Sequence, residues 1–423
     1  MRVLVQKYGG SSVATTEKLQ QVAEKVMAAN ESDAAVVVVV SAMGKTTSDL
    51  LALATDLTAV PNHRELDMLL SAGERISMSL LSMAIQALGG EAISLTGPQA
   101  GIWTDDAHTQ ARITRVQPER IQRELARGKI VIVAGFQGLN SRGEVTTLGR
   151  GGSDTSAVAL AAALGAERCD IYSDVDGVYT ADPRLIPAAQ PIAEISYEEM
   201  QELSRLGAQV LNAEAVGLAR HHGVEIAALS TFSGTGGTCI RHPQHLGRAF
   251  DAVPTTCAVT GVTGRRDLLW VCFSGPRETM PLDDDLAEVL ATCHVLLCRQ
   301  NTPDYGLCRL DYLVAGENIA EAEGFAARLR REFAGIVAVS SELGSIAAVG
   351  LGIGDQPSLH QHMYQTLVQE GIIPITSVVS PSSVAFVTPI SQVDTGLRTL
   401  HQHLIETPPL EAVGASVETL IEL

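Results

Sequence analysis

The stretch TLGRGGSDTSAVALAAALGA (Thr147–Ala166) decides the fold. Gly149, Gly151 and Gly152 stand where a helix of small apolar residues should begin. Glycine lets a backbone come close to a ligand or take positive φ. Ser153 and Asp154 are good helix-capping types. A helix N-terminus offers free N–H groups and a partial positive charge, so it draws anions. The run Ala157 to Ala163 is narrow enough to lie tightly on a sheet. The stretch therefore reads as an anion-binding turn that brings Arg150 and Asp154 to a ligand. A Gly-rich turn before an ordinary core helix is the competing reading.

Other glycine turns end apolar runs in the same way. Val3–Gln6 reads as a short buried strand, followed by Lys7, Gly9, Gly10 and Ser11, then a helix from about Thr16 to Ala29. Strand, Gly-Gly turn and helix make a phosphate cradle. Lys7 at the strand's carboxyl end stands where open α/β sheets place ligands and can neutralise phosphoryl charge, unless it is a plain exposed lysine. Ala34–Ser41 is a β-branched run suited to a strand covered on both faces. The Gly-Lys-Thr after it is not a P-loop, because Val39 stands where that motif needs its first glycine. Ser41, Thr46 and Thr47 offer hydroxyls there, as ligand donors or as caps. Leu66–Leu88 reads as one helix. Its Glu74 is either a solvated residue or a site for an ammonium group. Ala92–Thr96 and Lys129–Phe136 read as strands.

Cys169–Ser173 reads as a strand leading into a turn with Asp174, Asp176, Tyr179, Asp182 and Arg184. An EF-hand would need a glutamate where Leu185 stands, so calcium is discounted. A nucleotide fits better, with Tyr179 against a base, Arg184 on phosphate and an aspartate on ribose. Glu198–His221 reads as helical and Val224–Thr231 as a strand. Ser233–Thr238 closes this region.

The remainder changes rhythm. Strands at Leu268–Phe273, Val295–Arg299, Cys308–Ala315 and Ile336–Ser340, with helices near Asp283–Thr292 and Ile319–Phe333, give a βαββαβ order. A second set follows, with strands at Ile346–Gly352, Ile373–Val379 and Ser383–Thr388 and helices at Ser358–Glu370 and Val393–Leu404. Two tandem modules imply regulation or assembly.

The chain has 423 residues, 46% of them hydrophobic and only 4% aromatic, enough for two or three aliphatic cores. A net charge of −18 argues against nucleic acid or an anionic membrane as partner. Seven cysteines form no CxxC pair and no zinc spacing, which suits reduced thiols in a cytoplasmic protein. The start MRVLVQKYGG does not read as a signal peptide. No uninterrupted apolar run reaches the roughly 20 residues of a membrane span.

The ordered motifs KYGGSSVA, VVVSAMGKTT, LLSAGERIS, TLGRGGSDTSA and YSDVDGVYTADPR resemble those of the aspartate kinases, from Arg2 to about Ile240. The resemblance implies an α/β amino-acid-kinase sandwich with a mainly parallel sheet over 1–245, followed by two ACT modules at 252–340 and 341–423. It implies ATP-dependent phosphorylation of the L-aspartate β-carboxylate, with Mg²⁺ accompanying ATP and no protein side chain as direct metal ligand. That reaction opens lysine, threonine and methionine synthesis. Lys7, Gly9 and Gly10 resemble the phosphate grip, with Ser11 beside them. Asp154 resembles the acid that organises Lys7. Ser41 and Thr47 resemble substrate-side hydroxyls. Glu74 resembles the acid for the substrate ammonium, and Arg150, with Ser153, the holder of the α-carboxylate. Ser173, Asp174, Tyr179 and Arg184 resemble ATP contacts. Gln300 and Asn301 resemble an effector pair for lysine or threonine, and a homodimer or larger assembly through the ACT modules is expected.

The chain departs from the family pattern at Lys45, at Leu211-Asn212-Ala213 in place of an LHP-like stretch, at Glu278–Asp283 and at Gln356–Leu359. The alternatives are a same-fold kinase for another amino-acid carboxylate and a catalytically weak regulatory paralogue.

Overall fold

The computed structural model describes residues 2–31, 34–234, 236–246, 259–276, 278, 280–281, 290, 293–301, 307–316 and 322–407. The chain forms two compact units: Met1–Tyr179 with Pro191–Ser204 and Gln209–Phe250, and Thr180–Gln190 with Arg205–Ala208 and Asp251–Leu423.

The first unit begins β1 (Arg2–Tyr8), α1 (Thr16–Glu31), β2 (Ala34–Val40), α2 (Thr46–Leu57), α3 (His63–Leu70) and α4 (Ala72–Ala87). It continues β3 (Ala92–Leu95), β4 (Ile102–Thr104), β5 (Ile113–Val116), α5 (Glu119–Leu125), β6 (Ile130–Ala134), β7 (Gln137–Leu139) and β8 (Val145–Thr147). Next come α6 (Gly152–Leu164), β9 (Arg168–Ser173), β10 (Val178–Tyr179), β11 (Pro191–Ile192), β12 (Glu194–Ser196), α7 (Tyr197–Arg205), α8 (Ala213–His222), β13 (Glu225–Ser230) and β14 (Thr238–Arg241).

Eight strands form the main sheet in the order β12-β14-β13-β9-β1-β2-β6-β3. It is parallel except where β13 meets β14. The valines of β2 explain its central place. Val36 to Val40 are fully buried because both faces of the strand are covered. Val36, Val38 and Val40 join Leu19, Val22 and Val26 of α1 and Leu81 and Ile85 of α4 in one aliphatic core. On the other side α6 packs against β1, β2 and β9. Most of α6 is buried, which its serine, alanine and glycine content permits. The expected α/β sandwich with a mainly parallel sheet is therefore present.

Four differences from the sequence reading are informative. The helix expected over Leu66–Leu88 is two helices that meet at Ser71. Together, His63–Ala87 is long and apolar enough by composition to cross a membrane, but charged residues interrupt it, half of its most apolar 18-residue window is buried inside the protein, and it carries the buried Asp67 and Glu74. The helix expected over Glu198–His221 is also two, because Asn212 caps a new start. The small sheet β5-β4-β7-β8 was not foreseen, since its strands are three or four residues long and carry little periodic signal. Finally, Ser153 and Asp154 do not cap α6. Gly151 is the N-cap, in the left-handed region at φ 71°, and Asp154 is left free to face β1.

The second unit continues with β15 (Gly261–Pro276), β16 (His294–Asn301), β17 (Leu307–Ala315), α9 (Ala322–Glu332), β18 (Val337–Val349), α10 (Pro357–Gln369), β19 (Thr376–Ser380), β20 (Ser383–Pro389) and α11 (Val393–His401). Its antiparallel sheet runs β16-β17-β15-β18-β20-β19. The helix expected at Asp283–Thr292 lies almost wholly outside the described residues. The strands expected at Ile336–Ser340 and Ile346–Gly352 are one, β18, which runs unbroken to Val349. The strand expected at Leu268–Phe273 likewise extends back to Gly261, carried past Arg265–Trp270 by irregular register. The C-terminal half of β15 pairs with β17, and its N-terminal part, Gly261–Arg265, pairs with Ser345–Val349. The N-terminal part thus completes the sheet of the elements that follow Ser345, and the two βαββαβ sets interleave.

Candidate active site

Most of the anticipated residues collect at the carboxyl ends of β1, β2, β6 and β9 and the start of α6. Lys7 ends buried, with Nζ 2.5 Å from Asp154 Oδ1. Burying two charges is costly unless they pair, so each fixes the other. The turn after β1 is held by Gly9 N–H donating to Tyr172 O at 3.0 Å and Ser12 N–H to Gly9 O at 3.0 Å. Gly10 must be glycine for space. A Cβ there would lie 2.9 Å from Ala42 O. Gly44 N–H donates to Gly10 O at 3.0 Å, joining the turns after β1 and β2. Ser11, half-buried, sits on the first of them.

Beyond β2, Ser41 O accepts from Ser77 Oγ at 2.7 Å, and Ala42 N–H donates to Glu74 Oε1 at 3.1 Å. A Cβ on Gly73 would come 2.8 Å from Ala42 Cβ, so α4 begins pressed against this turn. That contact puts Glu74 at 3% exposure. Its other oxygen, Oε2, is buried without a hydrogen-bond partner among the described residues. Burial pushes the carboxyl up to about 7, against the pull of Ala42 N–H and its own N–H. Glu74 is thus not a solvated helix residue. Thr46 Oγ1 donates to Met43 O at 2.6 Å, while the hydroxyl of Thr47 in the first turn of α2 stays open among the described residues.

At the opening turn, Ser153 is buried behind Gly135, where a Cβ would meet its side chain at 2.9 Å. Arg150 is exposed, with no ion-pair partner among the described residues. On the other flank, Ser173 lies at the end of β9 and Asp174 is exposed in the following bend. Tyr179 donates its hydroxyl to Asp176 Oδ1 at 2.9 Å. Arg184 belongs to the second unit and is forked on Asp182, at 3.0 and 2.8 Å. Of the effector pair, Gln300 is exposed on β16 and Asn301 ends that strand.

Three residues escaped the sequence reading. Thr231 Oγ1 lies 2.6 Å from Ser12 Oγ and donates to Ser173 O at 3.0 Å, so one hydroxyl ties the phosphate turn to the end of β9. Lys25 Nζ holds Thr231 O at 2.9 Å. Asp67, fully buried, accepts from Thr147 Oγ1 at 2.5 Å and Thr109 N–H at 3.0 Å, with His108 Nδ1 2.5 Å away, and ties α3 to β8. A threonine ending a strand and an aspartate inside a helical pattern carry no local mark. The burial of their hydroxyl and carboxyl groups is what reveals them.

The described side chains thus offer a buried lysine–aspartate pair beside the glycine turn after β1, a buried carboxylate in the first turn of α4 and an exposed guanidinium just before α6.

The amino acid kinase family matches residues 2–228. The aspartokinase of Bacillus sp. strain MGA3 is 39% identical over 411 residues, 95% of this chain and 97% of its own length. The aspartokinase of Geobacillus stearothermophilus is 41% identical over 379 residues, 88% of this chain and 89% of its own. Aspartokinase III of Escherichia coli shares the fold. Solved with aspartate and ADP it superposes with a TM-score of 0.78 at 23% identity, covering 95% of this chain and 99% of its own. Solved with lysine and aspartate, it superposes at 0.70 and 22% identity over 95% and 99%. The chain belongs to the amino acid kinase family, and within it to the aspartokinases.

Proposed function

We infer that the protein transfers the γ-phosphoryl group of ATP to the β-carboxylate of L-aspartate. The single observation that carries this reading is the buried Oε2 of Glu74, which has no hydrogen-bond partner among the described residues, beside the buried Lys7–Asp154 pair in the same unit. A buried acceptor without a donor is costly, and a substrate ammonium supplies one. Arg150, exposed in the glycine turn, would take the α-carboxylate, with Ser153, Ser41 and Thr47 lining that side. Gly9, Gly10 and Ser11 would cradle phosphate, and Ser173, Asp174 and Tyr179 would hold the nucleoside end.

The chemistry asks little of a base. A carboxylate oxygen is already a nucleophile. It attacks the γ-phosphorus as the bond to the β–γ bridging oxygen breaks, giving 4-phospho-L-aspartate and ADP. The barrier is repulsion among anions, so alignment and charge neutralisation carry the rate. Lys7 supplies a positive charge at the phosphoryl oxygens, and Asp154 holds its ammonium on line. The donor set suits a metal that arrives on phosphate, because the Asp154 carboxylate beside the glycine turn is already engaged by Lys7. Mg²⁺ on the nucleotide would supply further charge neutralisation.

Hydroxamate formation from ATP, hydroxylamine and a candidate amino acid tests the reading. Signal with aspartate supports it. Signal with glutamate alone would reassign the substrate, and none with either would leave a regulatory paralogue.

We read residues 1–245 as the catalytic domain, with regulatory modules at 252–340 and 341–423 that share their central strands. Lysine or threonine at Gln300 and Asn301 is the proposed effector arrangement, in keeping with the lysine in the Escherichia coli enzyme. The apolar Ile373, Ile375 and Val379 at the sheet edge suit assembly of copies through these modules. Turnover with lysine, threonine and both added tests regulation.

A further inference from the structure

The turn that carries Arg150 is anchored from outside by one side chain. Asn212 Oδ1 accepts from Glu214 N–H at 2.9 Å and Ala215 N–H at 3.0 Å, which caps α8. Two backbone donors demand the oxygen at that place, so the network fixes the amide's orientation. Asn212 Nδ2 therefore faces the turn, and it donates to Arg150 O at 2.9 Å. The contact is close-packed. A Cβ added to Gly151 would overlap the Asn212 amide. Within the turn Gly152 N–H donates to Gly149 O and Asp154 N–H to Gly151 O. Ser156 Oγ of α6 donates to Gly152 O at 2.7 Å, and Leu148 N–H, just before the turn, to Phe136 O at 2.9 Å. Among the described residues only Asn212 bonds the carbonyl of Arg150.

We propose that Asn212 is a positioning residue that sets where Arg150 stands and thereby the affinity for the substrate's α-carboxylate. This rests on the reading of Arg150 as the carboxylate holder. The guanidinium is exposed and has no ion-pair partner among the described residues, so its base must be fixed through the backbone. Gly149 and Gly151 on either side give that backbone freedom, and the bond from Asn212 removes it.

The test separates the cap from the tether in the full-length enzyme. Serine caps a helix about as well as asparagine but is too short to reach Arg150 O. Aspartate also caps but offers only acceptors to that carbonyl. Asn212→Ser and Asn212→Asp are expected to raise KM for aspartate about three- to tenfold, the worth of one hydrogen bond, with kcat and KM for ATP nearly unchanged. Arg150→Ala is measured alongside, and Asn212→Ser is expected to add nothing to it.

An unchanged aspartate KM in both Asn212 variants, while Arg150→Ala raises it, overturns the positioning role alone. Arg150→Ala without effect overturns the carboxylate reading and the proposal with it. An additive effect in the double variant also overturns the proposal, because Asn212 would then not act through Arg150. If Asn212→Ser fails to fold, Asn212→Asp keeps the stronger cap and the same outcomes apply.

Discussion

Lys7 Nζ stands 2.5 Å from Asp154 Oδ1, with the two side chains 11% and 9% exposed. The pair joins the end of β1 to the first turn of α6. On the proposed reading Lys7 supplies the charge at the phosphoryl group and Asp154 aims it. Lys7→Ala should cut kcat by at least about a hundredfold, as loss of a preorganised charge at a transition state does. KM for ATP should rise far less, because the glycine turn remains. Steady-state ADP release measures both. Turnover near that of the parent would remove Lys7 from the mechanism.

With Glu74 as the proposed ammonium site, aspartate binding should depend on pH. Burial raises its carboxyl to about 7, so the free enzyme holds a proton there at mildly acidic pH. An ammonium group beside Oε2 favours the carboxylate, so binding below pH 7 should release that proton, and affinity should weaken as pH falls. Calorimetry in buffers of different ionisation enthalpy reads the release directly. It should be evident at pH 6 and absent at pH 8. For stability the sign is the reverse of the usual acid. A raised folded pKa means stability present below 4.5 and lost as pH rises through 7. Glu74→Gln should therefore match the parent near pH 4.5 and exceed it by on the order of 3 kcal/mol at pH 8, while losing aspartate binding. Parallel melting curves for the two proteins at both pH values would show no divergence if Glu74 were solvated.

What could be read in the chain was whatever has a local signature. The β2 valines, the Gly9–Gly10 turn and the small residues of α6 each announce their place, because burial on two faces or close backbone approach admits few residue types. Glu74 was left open, since its fate depends on Gly73 letting α4 press onto Ala42, a contact over thirty residues of chain. By residue type alone Asp154 reads as a cap; only the family resemblance paired it with Lys7, because that partner on β1 lies far away in sequence. The interleaving of β15 with β18 was invisible for the same reason. Pairing across more than eighty residues writes nothing into either strand alone.

Thr231 is the clearest case of a residue that only the fold reveals. Its hydroxyl joins Ser12 to Ser173 O, and Lys25 holds its carbonyl. Thr231→Val keeps the shape and removes the hydroxyl, leaving Ser12 Oγ buried without that partner. KM for ATP should rise several-fold with KM for aspartate unmoved, and Thr231→Ser should restore the parent value. That is the scale expected for one buried hydrogen bond of about 1 kcal/mol. Equal changes in both constants would mean general loosening rather than a fixed spacing between phosphate and nucleoside.

The shared strands make a further demand on the second unit. Val262 of β15 is buried with Ile346, Ala348, Phe386 and Leu397, in the core that α10 and α11 complete. Gly264 admits the close approach of Ser345 O, where any Cβ would collide. A fragment beginning at 341 cuts through β18 and leaves this core without Gly261–Arg265. It exposes a strand edge and the apolar face that Val262 covers, and small domains have little stability to spare. The fragment should melt without a cooperative transition and bind a hydrophobic dye. Joining residues 259–266 through a flexible linker to a fragment that starts at 336, so that β18 is whole, should restore a cooperative melt. A fragment from 341 that already unfolds cooperatively would mean that β15 is dispensable to the second module, and that its pairing with β18 adds alignment rather than stability.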